Sequence, residues 1–384
     1  MGSERMASGR ASSESVVRVR RDPEGWLRRA WDGDTPRPFA AGLGVLSVGY
    51  RAALFVRGWL YDARLLSTGR LSCPVVSLGN LTVGGSGKTP LAELAALTLI
   101  ALGAAPAVVS RGYGRATRGV QVVADRQGVR LGARAAGDEP LLLAERLPGT
   151  PVIVGENRFE AGRHAVEAHG ASVIVLDDGF QNRTIAKNLE ILVVSARAPW
   201  GNGRLFPRGQ LRESLASLRR SHLVVVTNPS REEEVDEITR TLRLHDSPAP
   251  VVTARYEALE ARRAVDGARL PLSELRGRRL LGFGGLASPR SFMETLHTLG
   301  VPLAGFVEFG DHHWYGDADL SEVARRAGLA GAEGLITTEK DAVRLRELAL
   351  PRLPLWVLTV RMVLAGGQAA WVEALRGVAA PARG

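Results

Sequence analysis

Cysteine is almost absent from this chain of 384 residues. Cys73 stands alone, which excludes a disulfide framework and fits a reducing compartment. Lysine is nearly as scarce: of 50 basic residues only Lys88, Lys187 and Lys340 are lysine. A bias of this kind reflects coding composition. Against it, the lysines at 88 and 340 mark places that need a compact ammonium. No run reaches the ~20 uncharged apolar residues of a membrane span, and the thirteen uncharged residues Pro38–Tyr50 are too few to cross a bilayer. No cleavable signal peptide is expected, since serines and charges stand where its apolar core would be. Aromatic residues make up only 5% and do not interleave with basic clusters. The net charge of +10 therefore does not point to nucleic acid, and leaves an anionic membrane or a polyanionic substrate.

What is present begins with one stretch, Val75-Val-Ser-Leu-Gly-Asn-Leu-Thr-Val-Gly-Gly-Ser-Gly-Lys-Thr-Pro90. An apolar strand enters a glycine-rich turn that closes on Lys88-Thr89 just before a helical pattern, the layout of a P-loop. Backbone N–H groups from Thr82, Val83, Gly84, Gly85, Ser86 and Gly87, with the helix N-terminus, would cradle the phosphates of a nucleoside triphosphate. Lys88 would reach the β- and γ-phosphates and the Thr89 hydroxyl would face Mg²⁺. Thr82 departs from the strict pattern, which wants glycine there.

Apolar residues at 45% allow a sizeable core, and the length suits two domains or one large α/β domain with additions. From residue 75 short β-branched runs alternate with helical patterns, among them Pro74–Leu78, Pro106–Ser110, Val152–Val154, Val173–Leu176, Ile191–Ser195 and Leu223–Thr227. This rhythm predicts a P-loop NTPase-like, doubly wound, mostly parallel sheet. A second series at Pro250–Ala254, Leu280–Phe283, Leu303–Phe309, Leu335–Thr337 and Leu355–Val360 predicts a smaller α/β domain. A boundary is expected near 230–250, where Pro229 and a charged run interrupt the pattern. Residues 38–66 place arginines beside Trp59 and Tyr61 on an amphipathic helix, which suits a membrane interface and equally a core-facing helix. Residues 1–22 carry no periodicity and read as a disordered arm.

Acids gather at predicted strand ends and helix starts. Asp177 and Asp178 close an apolar strand, the Walker-B position for holding Mg²⁺. Asp138, in Gly137-Asp-Glu-Pro140, is either a helix cap or a carboxylate facing the bound phosphate. His312 and His313 follow Asp311 after a strand, where an imidazole beside an acid suits proton transfer better than metal binding. Arg111 and Arg212 lie on loops able to meet anionic groups.

In this order the segments resemble the tetraacyldisaccharide 4′-kinase family, the lipid A 4′-kinases of Gram-negative bacteria. They are GNLTVGGSGKTP at 79–90, SRGYGR at 110–115, GDEP at 137–140, DDGFQNR at 177–183, LRE at 211–213, DHH at 311–313 and TEKDAVRL at 338–345. The family shares the threonine at 82. The resemblance implies ATP-dependent phosphorylation of the 4′-hydroxyl of a tetraacyldisaccharide 1-phosphate to give lipid IVA. It also implies a peripheral or monotopic enzyme on the cytoplasmic face of the inner membrane, taken as a monomer. By the same resemblance Asp138 pairs with His312 as a catalytic dyad, with His313 the fallback. Glu139 and Asp177 join Thr89 around Mg²⁺, Asp178 supports them, and Arg212, with Arg111, neutralises the transferring phosphoryl group. The expected organisation is an arm at 1–22, a membrane-contacting segment at 23–70, a P-loop kinase core at 71–235 and a second α/β domain at 236–384. The rival reading is a membrane-associated P-loop ATPase acting as a switch or partition protein.

Overall fold

A computed structural model describes residues 16–18, 27, 30, 31, 33 and 36–379. They form two compact units. The larger draws on Asp22–Leu259, Glu339–Arg346 and Thr359–Gly384, the smaller on Met1–Arg21, Glu260–Thr338 and Glu347–Leu358.

In the larger unit seven strands run parallel. Their order is the start of Val251–Arg263, then Leu223–Thr227, Leu189–Ser195, Val75–Gly79, Val173–Asp177, Pro106–Ser110 and Val152–Val154. Gln121–Asp125 and Gly128–Val129 continue the sheet antiparallel. Helices cover both faces, so the central strands are buried throughout and read as unbroken apolar runs. One face packs Val75, Val109, Ile153 and Leu176 against Ala161 and Ala165 of the helix Arg158–His169. Farther along the same face, Leu192, Val224 and Val226 pack against Ile238 and Leu242. These last two belong to the helix Glu232–Leu244, inside the stretch read from sequence as an interruption. Its three leading glutamates favour a helix N-terminus, and residues four apart bury one edge. The strand Val75–Gly79 lies between strands that come later in the chain, and its carboxyl end carries the glycine-rich turn. That is where open α/β sheets bind ligands.

The smaller unit is a parallel sheet in the order Leu303–Phe309, Leu280–Gly285, Gly334–Thr338 and the first residues of Leu355–Gly366. Helices Pro289–Thr298 and Asp317–Leu329 bury Phe292, Leu296, Leu320 and Val323. Of the N-terminal arm expected to be disordered, Val16–Arg18 pairs in parallel with residues 306–308. Most of that arm lies outside the described residues.

One helix, Arg37–Asp62, runs for 26 residues. The expectation that no segment suits a membrane span needs correcting, since Pro38–Asp62 is long and apolar enough by length and composition. Its two long faces differ. Leu43 is buried, Ser47 Oγ donates to the Leu205 carbonyl at 3.1 Å, and Tyr50 Oη donates to the Arg212 carbonyl at 2.9 Å. Arg57 donates to the Gln181 carbonyl, and Asp62 accepts from Arg183 at 2.6 Å. These positions recur at helical spacing along one side and hold it against the larger unit. Val45, Val48, Phe55, Val56 and Trp59 lie on the opposite side, each more than half exposed.

Candidate active site

The turn after Val75–Gly79 is shaped by backbone needs that fall on two glycines. Gly84 (φ +125°) and Gly87 (φ +87°) adopt left-handed conformations costly for other residues. A Cβ on Gly87 would meet the Met362 methyl at 2.9 Å and the Tyr256 hydroxyl at 3.2 Å. Thr82 needs no such freedom: it pairs with Leu211, and the next residue, Val83, donates its N–H to the Gln210 carbonyl at 2.8 Å. The departure from the strict motif therefore falls where the chain is extended. Gly85 and Ser86 continue the turn, and the Ser86 carbonyl accepts from Thr227 Oγ1 at 3.0 Å. Lys88 and Thr89 open the helix Lys88–Ala101.

Around this turn three carboxylates converge. Thr89 Oγ1 lies 3.3 Å from Glu139 Oε2 and 3.4 Å from Asp177 Oδ2. Ser110 Oγ is also 3.4 Å from Asp177 Oδ2. Asp177 Oδ1 is buried and has no hydrogen-bond partner among the described residues. Burial pushes the Asp177 carboxyl up to about 7, with Glu139 and Asp178 adding to the rise. An oxygen left unpartnered among acids is a place for a cation. Among the described residues no three His, Cys, Asp or Glu side chains form a cage. Mg²⁺ needs none, since it takes one or two carboxylates and completes its shell with water and phosphate.

Asp178, next along, points to the cations. Burial alone would raise its pKa, but Lys88 and Arg212 outweigh that and hold it below the usual range. Arg212 Nη1 donates to both Asp178 oxygens at 3.0 Å, and Lys88 Nζ stands 3.8 Å away. Lys88 also donates to Asn80 Oδ1 at 3.2 Å, and Gln181 Nε2 donates to the Asn80 carbonyl at 2.7 Å. Arg111 is exposed on its loop.

Asp138 and Glu139 open the helix Asp138–Arg146, which the short helix Glu339–Leu345 meets. Gly137 is the N-cap and Asp138 the first helical residue, so the capping role weighed from sequence does not hold, although Asp138 accepts the N–H of Glu139 at 2.9 Å. Arg344 Nε lies 3.6 Å from Asp138 Oδ2, and Lys340 Nζ donates to Glu139 Oε1 at 3.0 Å. Arg146 joins the same helices by donating to Glu93 at 2.9 Å, to Glu339 and to the Val360 carbonyl at 2.6 Å.

The two histidines of the smaller unit differ in their surroundings. His313 Nε2 is 2.9 Å from Asp319 Oδ2, and its ring stacks on Phe309 at 4.9 Å. Asp319 also accepts the Gly316 N–H at 3.0 Å, so His313 is part of a loop-closing cluster. His312 sits at φ +56° with its N–H donating to Asp311 Oδ1 at 3.0 Å. Its ring Nε2 is 3.9 Å from that same oxygen.

Several residues of the site were not singled out from sequence. Asn80 and Gln181 lie inside the quoted motifs, so position was the available signal. Tyr256 and Arg146 had none. Tyr256, partly buried, has its hydroxyl pushed up to about 12 by burial and then by Glu139.

A family profile described as Tetraacyldisaccharide-1-P 4′-kinase matches residues 39–379. A tetraacyldisaccharide 4′-kinase of Anaeromyxobacter sp. (strain Fw109-5) is 44% identical over 338 residues, covering 85% of this chain and 88% of the relative. One from Syntrophus aciditrophicus (strain SB) is 38% identical over 348 residues, covering 87% and 93%. Among solved structures, an "apo" form of LpxK from Aquifex aeolicus in complex with ATP is similar at a TM-score of 0.71 and 28% identity. That likeness covers 89% of this chain and all of the other.

Proposed function

The chain belongs to the tetraacyldisaccharide-1-P 4′-kinase family, and from that premise we propose how its residues divide the work. The enzyme transfers the γ-phosphate of ATP to the 4′-hydroxyl of tetraacyldisaccharide 1-phosphate, giving lipid IVA in lipid A biosynthesis. The P-loop turn holds the ATP phosphates, with Lys88 as a point charge at the β- and γ-groups. Thr89, Asp177 and Glu139 are the residues that would hold Mg²⁺, which would supply positive charge to offset the phosphate oxygens. The observation that carries this is the Thr89 hydroxyl set between Glu139 and Asp177, with one Asp177 oxygen buried and unpartnered.

A sugar hydroxyl is a poor nucleophile, so a base that takes its proton as the new P–O bond forms lowers the barrier. Asp138 is that base, and His312 its partner by the family motif. His313 is the weaker choice because Asp319 and Phe309 already fix it. Arg212, held on Asp178, leaves the carboxylate side of the P-loop with a guanidinium for the oxygens of the transferring phosphoryl group. Arg111 is a second, more exposed cation for the same task.

The lipid substrate makes this a membrane-associated reaction. We assign the exposed apolar side of Arg37–Asp62 to the lipid at the cytoplasmic face of the inner membrane. Its polar contacts from Ser47 to Asp62 favour a helix lying along the protein, and so a monotopic enzyme, which we take to act as a monomer. The test is transfer of label from γ-labelled ATP, with Mg²⁺, to tetraacyldisaccharide 1-phosphate in detergent. Asp138→Ala should abolish most of the labelled lipid while leaving ATP binding in place; a normal rate would remove Asp138 as the base.

A further inference from the structure

The third lysine has no place yet in the reaction. Lys88 belongs to the P-loop. Lys187 is buried, where it donates to the Phe180 carbonyl at 3.0 Å and pairs with Glu190, a structural task. Lys340 remains, in a chain that otherwise uses arginine for positive charge.

Its position is specific. Lys340 is the second residue of the helix Glu339–Leu345, and Nζ donates to Glu139 Oε1 at 3.0 Å. The other oxygen of that carboxylate is 3.3 Å from Thr89 Oγ1. One carboxylate thus separates the ammonium from the P-loop hydroxyl that, in such folds, lies beside the β- and γ-phosphates. The helix beneath it is pinned. Arg344, with no exposed side-chain surface, pairs with Asp341 at 2.8 Å and faces Asp138, and Arg146 binds Glu339. The backbone is fixed, and the four-carbon stem carries a compact point charge with rotatable donors where arginine would present a rigid planar fork.

Charge balance says where it would swing. Lys88 and Arg212 both stand on the Asp178 side of the turn. Lys340 is a cation paired with Glu139 on the other side. We propose that Lys340 is a second phosphate-directed ammonium, which leaves Glu139 for the γ-phosphate of ATP and neutralises that group as it transfers. This rests on the reading that the turn at 82–89 holds the ATP phosphates.

The test compares nucleotides that differ by the γ-phosphate. Affinities for a fluorescent ATP and the matching ADP, both with Mg²⁺, are measured on the full chain in detergent for wild type, Lys340→Met and Lys340→Gln. The expected result is a loss of about tenfold in ATP affinity with ADP affinity unchanged, and a fall in kcat of about 10². Lys340→Arg should keep part of the ATP preference. The ATP-to-ADP ratio comes from the folded molecules alone, so a variant that folds in lower yield still answers. Equal losses for both nucleotides, or no loss for either, would overturn the proposal and leave Lys340 as the partner of Glu139 only. Lys88→Met should weaken both nucleotides. If it weakens neither, the phosphate cradle itself is misplaced, and the proposal falls with it for a different and recognisable reason.

Discussion

Arg344 and Asp138 face each other in a space closed to solvent. The guanidinium Nε is 3.6 Å from the carboxylate, with 0% and 4% of the two side chains exposed. Arg344 also donates Nη2 to Asp341 at 2.8 Å and Nε to the Lys340 carbonyl at 3.2 Å. One buried cation therefore serves two buried carboxylates, with the tighter bond going to Asp341. Asp138 is held in place by a cation whose tighter bond goes elsewhere, which suits the role of base proposed for it.

Replacing Arg344 with Met should leave two buried carboxylates without that cation. Breaking one side of a buried pair costs about 3–5 kcal/mol, so the variant should melt well below wild type in a calorimetric scan. Arg344→Lys, which restores charge but not the planar fork, should recover only part of the loss. Equal melting temperatures for Met and wild type would show that Arg344 carries no such load.

The histidines should separate by experiment as they do in surroundings. His312→Ala should lower kcat by about 10²-fold or more, in the range of general acid–base groups, with little change in melting temperature. His313→Ala should act in reverse. Losing the 2.9 Å bond to Asp319 and the stack on Phe309 should lower stability first and activity less. Parallel melting curves and steady-state rates decide it, and a larger kcat effect at His313 would exchange the two roles.

How far the sequence reveals this molecule depends on the range of the forces involved. Pro106–Ser110, Val152–Val154, Leu223–Thr227 and Leu303–Phe309 have the bounds expected from their residues. These strands are mostly apolar runs between turn residues, so their ends are local facts. Gln121–Asp125 was missed because an antiparallel strand near the sheet's edge mixes polar and apolar residues. Glu339–Leu345 was not read as a helix either: its seven residues are mostly charged, and it is held by ion pairs to Asp138, Glu139 and Arg146. Those bonds span some 200 residues of chain, and no periodicity records them. At the site, Thr89, Glu139 and Asp177 were named together through motif order, and the structure brings them within 3.4 Å of one hydroxyl. The roles of Asn80, Gln181 and Arg57 as a hydrogen-bonded frame around Arg212 and Asp178 required coordinates.

Arg146 should give the protein a pH-dependent weakness when it is removed. Burial raises the carboxyl pKa values of both Glu93 and Glu339, and Arg146 opposes the rise in each. An acid whose pKa is raised on folding adds stability below its unfolded value and loses it as pH rises through the folded value. Arg146→Gln removes the opposing charge and raises both values further. The gap in melting temperature between wild type and variant should therefore be smallest near pH 4 and widen toward pH 8. A gap that is constant or narrows with pH would mean that the two glutamates do not depend on this arginine.

The helix Arg37–Asp62 offers two faces to test against each other. Phe55, Val48 and Trp59 are exposed at 75%, 69% and 56%, an arrangement costly in water unless something apolar covers it. Burying one such side chain is worth about 1.5–3 kcal/mol, so Phe55→Glu or Trp59→Glu should each weaken vesicle partitioning by about tenfold or more. Tyr50→Phe, on the opposite face, removes only the hydrogen bond to the Arg212 carbonyl. It should leave vesicle partitioning intact and lower the transfer rate instead, because that carbonyl belongs to the residue holding Asp178. Flotation with vesicles beside a rate measurement on soluble micellar substrate separates the outcomes. If the glutamate variants float as wild type does, the exposed face is not the one that meets lipid. If Tyr50→Phe is the variant that fails to float, the assignment of the two faces is reversed.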